Sequence, residues 1–170
     1  MSVQGGTLLA VLANPPATSG ERSRARVALA ADLLGFDDFV IENLFAISSH
    51  ATGAIATLGA TADGWLKARP ALLASLADAA GVLFAYGTSA PTGAARTLFR
   101  DQVAWLDAVV VESGLPAWQV GDGARHPSRW QRWTSRAHPD QCFTHALDAA
   151  LRVVHAPASR VAANDSEDAS

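Results

Sequence analysis

Three observations predict an α/β chain, a three-layer α/β/α sandwich around a short, mainly parallel sheet of about four strands. Short apolar runs recur at residues 7–13, 39–41, 82–86 and 116–120. Segments with helical spacing of apolar residues alternate with them. The first three runs end in a polar or glycine-containing step, where a strand would give way to a turn. Strands alternating with helices fold as a parallel sheet, because each crossover lays a helix across one of its faces.

Residues 7–13 are continuously apolar and stop at Asn14-Pro15-Pro16, as a strand buried on both faces would. Residues 21–34 form a helix whose inner face carries Val27, Leu29, Ala30, Leu33 and Leu34, with Gly35 as its C′ residue. Phe39-Val40-Ile41 leads a second strand into Glu42-Asn43-Leu44-Phe45. Residues 48–63, rich in Ser, Thr, Gly and Ala, read as a long loop. A helix over 69–79 follows, with Leu72, Leu73 and Leu76 inward and Pro70 in its first turn. Residues 82–86 are a third strand. The small-residue turn 87–93 opens a helix that runs to about Val111, striped by Leu98, Phe99, Val103, Leu106 and Val110. Residues 116–120 are a short fourth strand, and 139–154 the last helix, with Phe143, Leu147, Leu151 and Val154 inward. Trp105 and Trp118 are expected in the core. Residues 1–156 are thus one α/β domain, and the polar, acidic stretch 157–170 is expected to be disordered.

Composition narrows the class. At 170 residues and 49% hydrophobic, the chain has the means to build a core of its own. Its net charge of −3 argues against a protein that coats nucleic acid, yet permits a local basic face. All the basic residues but Lys67 are arginine. With Cys142 as the only cysteine, an intrachain disulfide and a four-cysteine iron–sulfur cluster are both excluded. Residues 1–6 lack the basic and apolar regions of a secretory signal, and no apolar run approaches the ~20 residues of a membrane span. A soluble cytoplasmic protein is expected, with no membrane partner.

The polar steps carry the chemistry. An Asn side chain at a strand end offers a donor and an acceptor, which suits a water or the edge of a nucleobase. A neutral His can donate an N–H to an atom on which negative charge develops. Asn14, Asn43 and His126 gathered beyond the strand carboxyl ends would make such a site. Arg125, Arg129, Arg132 and Arg136 are interleaved with Trp130 and Trp133, a mixture suited to phosphates and stacked bases. The same arginine spacing also fits one face of a solvated helix. Arg22, Arg24 and Arg26 follow the first step and could face the same crevice. The 87–93 turn, with Gly87 and Thr88, could hold a phosphate at a helix N-terminus.

These steps resemble, in order, motifs of the uracil-DNA glycosylase superfamily. Asn14-Pro15 is similar to its first motif, where the resemblance implies that the Asn orients the attacking water. The run from Phe39 to Asn43 resembles the second strand of that superfamily, whose terminal Asn, the resemblance implies, reads the base edge. Tyr86-Gly87-Thr88 resembles the Trp-Gly step that follows the third strand. His126-Pro127-Ser128 resembles the opening of the last motif, whose His stabilises the departing base, and Trp130 stands where a wedge residue, usually leucine, enters the DNA. A closer likeness, from about Leu8 to Val154, is to the domain of unknown function 1643 family. The likeness rests on Asn14-Pro15, Asn43-Leu44-Phe45-Ala46, Tyr86-Gly87 and Gly121-Asp122-Gly123-Ala124-Arg125-His126-Pro127.

The resemblance implies an N-glycosidic bond hydrolase with a uracil-DNA-glycosylase-like fold, releasing a nucleobase from DNA by water attack at the sugar. Asn14 and His126 are the expected catalytic residues. Asn43, Phe45, Gly87, Thr88, Ser128, Arg129 and Trp130 are the expected substrate-binding residues. No metal or cofactor is implied. The expected partner is DNA or a nucleotide, and two readings stay beside the first. One is hydrolysis of a free nucleotide or nucleoside, and the other is a module that binds a nucleotide or modified base without cleaving it. His138, Cys142 and His145 have ligand-like spacing, but a helix starting at Pro139 leaves His138 outside it, which disfavours a metal site.

Overall fold

The computed structural model of the chain describes residues 5–49 and 54–158. Its elements run β1 (Thr7–Leu12), α1 (Glu21–Leu34), β2 (Asp38–Asn43), α2 (Ala54–Leu58), α3 (Asp63–Asp78), β3 (Gly81–Phe84), α4 (Ala95–Ser113), β4 (Ala117–Val120), α5 (Pro127–Ala137), α6 (Phe143–Ala150) and β5 (Leu151–His155). The strands form one sheet in the order β2-β1-β3-β4-β5. The first four are parallel, and β5 pairs antiparallel with β4.

Period-2 alternation along buried strands separates two cores. Leu9 and Val11 of β1, with Val82 and Phe84 of β3, face Trp65, Leu72 and Leu76 of α3 and Leu106 and Val110 of α4. Leu8, Ala10 and Leu12 point the other way, with Leu83, Trp118 and Val120, onto Val27 and Ala30 of α1, Trp130 of α5 and Leu147 of α6. Helices therefore cover both faces of the sheet, and the expected three layers are present.

The first half of the chain follows its local signals closely. Helix α1 ends at Gly35, whose φ of 81° lets its backbone N–H reach Asp32 O. Helix α3 starts earlier than expected, so Pro70 lies inside it rather than in its first turn. Tertiary packing holds the added turn. Gly64 sits so close under Phe45 that a Cβ would lie 2.1 Å from the ring, and Trp65 is buried. The expected 48–63 loop contains the short helix α2, and residues 50–53 lie outside the described residues.

The C-terminal third departs further. Residues 127–137 are helix α5, the element that the arginine spacing also fits. The expected helix over 139–154 is instead α6 followed directly by β5, which makes a fifth strand. His138 is the C-cap of α5, and Cys142 precedes α6. Of the acidic stretch, 159–170 lie outside the described residues, while the Ala158 N–H donates to Gly114 O at 3.1 Å. Among the described residues, no helix is long and apolar enough to cross a membrane.

Candidate functional site

Beyond β1 the chain turns towards β2, whereas β3 lies on the other side of β1. Such a reversal leaves a crevice outside the strand carboxyl ends, the usual ligand position in an open α/β sheet. A cleft of about 740 Å³ opens there. Asn14 follows β1, Asn43 ends β2, Gly87 and Thr88 follow β3, and His126, Ser128 and Arg129 follow β4; all line it. Four strand ends thus bring together seven of the nine expected site residues.

The other two belong to the core. Phe45 is fully buried, its ring 4.7 Å from that of Trp65, so it cannot stack on a ligand. Trp130 is also fully buried, and its Nε1–H donates to Arg125 O at 2.7 Å. Helical periodicity turns Trp130 and Thr134 inward and leaves Arg129, Arg132 and Arg136 exposed. The wedge role therefore has no side chain at position 130.

His126 owes its setting to the His-Pro-Ser step. It is the N-cap of α5, Pro127 occupies the first helical position, and the Ser128 N–H donates to His126 Nδ1 at 3.2 Å. The Ser128 hydroxyl also lies 2.9 Å from Nδ1. With Nδ1 accepting, the proton of the neutral ring sits on Nε2, which makes Nε2–H the donor left for a ligand. Burial first, then the charges of Arg129 and Arg26, push the imidazole pKa below its ordinary value. The positive end of the α5 dipole acts in the same direction.

A depressed imidazole pKa has a defined sign for stability. As pH falls through about 6.5, unfolded His126 takes up a proton that the folded ring refuses, so stability drops on the acid side. An NMR titration should place the His126 midpoint below 6.5, whereas in the His126→Gln protein the stability lost between pH 7.5 and 5.5 should be smaller. A midpoint at or above the ordinary value would contradict the partly buried, neutral ring.

The two Asn side chains are held differently. Asn14 Nδ2 donates to Ser49 Oγ at 2.8 Å and makes a long contact of 3.5 Å to Pro15 O, which orients the amide and leaves Oδ1 as its acceptor. Pro16 and Ser49 form a parallel bridge that brings the two loops together. Asn43 pairs with Leu12 in the sheet register, after which the Leu44 N–H donates to Leu12 O at 2.9 Å. Its Oδ1 is buried and accepts no hydrogen bond from the described residues. An unpaired buried acceptor costs roughly 1–3 kcal/mol.

Gly87 has a φ of 98°, and a Cβ there would meet nothing within 4 Å. Its N–H donates to Ala124 O at 2.6 Å, so this amide is committed to tying the two loops rather than to a phosphate. Tyr86 and Phe99 supply an aromatic wall, and burial, then Asp107, push the Tyr86 phenol up to about 12. Tyr86 is thus a neutral O–H at physiological pH.

Of the three early arginines, Arg24 lines the cleft, with its guanidinium carbon 4.8 Å from the centre of the Phe39 ring. Arg26 instead buttresses α5. Its Nη1 donates to Pro127 O at 2.7 Å and its Nη2 to Gln131 Oε1 at 3.0 Å. Arg26, expected with Arg22 and Arg24 to face the crevice, is thus a support for α5, and neither that role nor the Ser49 bond to Asn14 has a local signal, because the partners lie 101 and 35 residues away. Among the described residues, no three His, Cys, Asp or Glu side chains group as metal ligands.

No family model, curated protein or solved structure matches this chain.

Proposed function

We propose that the protein is an N-glycosidic bond hydrolase of uracil-DNA-glycosylase type, grouped on the same motifs with the domain of unknown function 1643 family. One observation carries the reading: Asn14, Asn43 and His126 line a single cleft, and Asn43 brings to it a buried acceptor without a partner.

In this reading Asn43 Oδ1 accepts a hydrogen bond from an N–H on the base edge, and the Tyr86 side chain borders the base. Asn14 Oδ1 accepts from the attacking water and aims its oxygen at C1′ of the sugar. The C1′–N bond breaks with its electron pair going to the base. The water oxygen bonds to C1′, one proton stays as the new hydroxyl, and the other ends on the base nitrogen. Nε2–H of neutral His126 donates to the base while it carries negative charge. A donor fixed in advance in a partly desolvated site stabilises that charge better than water does. The chemistry calls on no metal.

Release from DNA would use Arg129, Arg132 and Arg136 against phosphates, but without insertion by Trp130, which is interior. That burial favours a second form of the reading, in which the base is carried by a free nucleotide.

Reaction in ¹⁸O-labelled water tests the water-attack step. Label is expected at the sugar C1′ hydroxyl and not in the base. The Asn14→Ala protein should release base about 100-fold more slowly, as expected when a reacting group loses its positioning. Undiminished release by that variant would remove Asn14 from the mechanism.

A further inference from the structure

The charge inside the cleft is opposite in sign to that of the protein. Its described lining includes Arg24, Arg125 and Arg129 and no Asp or Glu, although the chain carries a net charge of −3. Arg125 is already paired, with Nη2 2.5 Å from Asp122 Oδ1 and its guanidinium over the Trp133 ring. Arg24 and Arg129 make no ion pair among the described residues. They enter from α1 and α5, helices that Arg26 ties together. Two arginines of this kind suit a phosphate, which accepts several charge-assisted hydrogen bonds.

The surroundings favour a small anion over a polymer. Glu21, exposed, directly follows the cleft residue Gly20, and the exposed Asp122 neutralises Arg125, so the positive charge left in the cleft is confined to Arg24 and Arg129. The exposed side chains of the first two turns of α5, Ser128, Arg129, Gln131 and Arg132, are all polar, so none offers an apolar wedge to a base stack. A cleft of about 740 Å³ lies within the range that encloses a small molecule, roughly 300–1,000 Å³.

We infer that the ligand of this cleft is a free nucleoside monophosphate, its phosphate held by Arg24 and Arg129 and its base by Asn43. The inference rests on the N-glycosidase reading for the fate of the ligand: water and the nucleotide give a free base and a sugar phosphate.

Calorimetric binding and base release are measured on the same panel. It contains the 5′- and 3′-monophosphates of the common nucleosides and deoxynucleosides, together with those of uracil and hypoxanthine, the matching nucleosides, and oligonucleotides carrying the same bases. At least one monophosphate should bind about tenfold or more tightly than its nucleoside, and inorganic phosphate should compete with the nucleotide. The Arg24→Ala/Arg129→Ala protein should lose about 100-fold in nucleotide affinity, while Arg152→Ala, an exposed side chain on β5 outside the cleft, should bind as wild type does. Both changed arginines are exposed, and thermal melting verifies that the double variant is folded.

Equal affinity for nucleoside and nucleotide, undiminished binding by the double variant, or binding of oligonucleotides alone would overturn the inference. Base release confined to oligonucleotides would overturn it while leaving the glycosidase reading intact. Nucleotide binding with no base released would sustain it and overturn the hydrolytic reading instead.

Discussion

Replacing His126 with alanine is expected to lower base release by about 10²–10³-fold, the usual loss when one fixed donor to a developing negative charge is removed. The imidazole also caps α5, and loss of a cap costs about 1 kcal/mol, so an alanine variant mixes two effects. His126→Asn separates them. Asparagine is a strong N-cap, and its side chain can accept from the Ser128 N–H, but it does not reproduce the Nε2–H donor at the far side of the ring. The expected pattern is a melting temperature close to wild type for His126→Asn, together with a rate loss as large as that of His126→Ala. A rate restored in the Asn protein would make His126 a structural cap and nothing more.

The largest expected stability effect lies at a residue that touches no ligand. Gln102, 1% exposed, donates through Nε2 to Leu44 O at 3.0 Å and Trp65 O at 2.8 Å, and its Oε1 accepts from Arg69 Nε at 3.0 Å. It clamps the turn after β2 to the start of α3. Gln102→Leu nearly keeps the shape, strands the Leu44 carbonyl at roughly 1–3 kcal/mol, and takes from the Trp65 carbonyl the bond it makes beside its helical one, at roughly 0.5–1.5 kcal/mol. For a chain of this size each kcal/mol moves the melting temperature by about 2–4 °C, so a fall on the order of 5–20 °C is expected in a thermal melt. Asn43 directly precedes the clamped residue, so base release should fall as well. An unchanged melting temperature would mean that water or a shift in the chain satisfies the Leu44 carbonyl.

The legible parts of the fold were those with strong local signals. Helix α1 was readable to the residue because its amphipathic stripe ends at a glycine that takes the left-handed conformation. The buried strands β1 and β3 were readable because their apolar runs are short and are closed by Asn14-Pro15-Pro16 and by Gly87, turn residues that favour a buried strand over a helix. Helix α3 was shortened because Pro70 reads as a start signal, whereas the true start is held by Gly64 against Phe45 and by Gln102, contacts remote in sequence. Strand β5 was hidden because Leu147, Leu151 and Val154 fit helical spacing, while the pairing with β4 that makes 151–155 a strand is tertiary. Antiparallel closure by the neighbouring β-branched Val153 and Val154 overrides that spacing.

The same distinction runs through the cleft. Polar steps after apolar runs located Asn14, Asn43, Gly87 and His126, because strand ends in a parallel sheet share one rim. Phe45 and Trp130 were misread for the opposite reason. Aromatic side chains beside a polar step look like ligand contacts, yet helical and turn geometry carries both into the core. Ser49, which fixes the Asn14 amide, and Arg26, which fixes the start of α5, had no signal in their own neighbourhoods.

Detection of free base by mass spectrometry tests the hydrolytic reading most directly. Wild-type and His126→Ala proteins would be incubated with nucleosides, nucleoside monophosphates, and single- and double-stranded oligonucleotides carrying uracil, hypoxanthine, xanthine or modified pyrimidines. The predicted result is one class of free base that accumulates with wild type and falls by about 10²–10³-fold with the variant. No base released from any substrate, even at enzyme concentrations equal to substrate, would contradict the reading and leave the cleft as a binding site without hydrolysis.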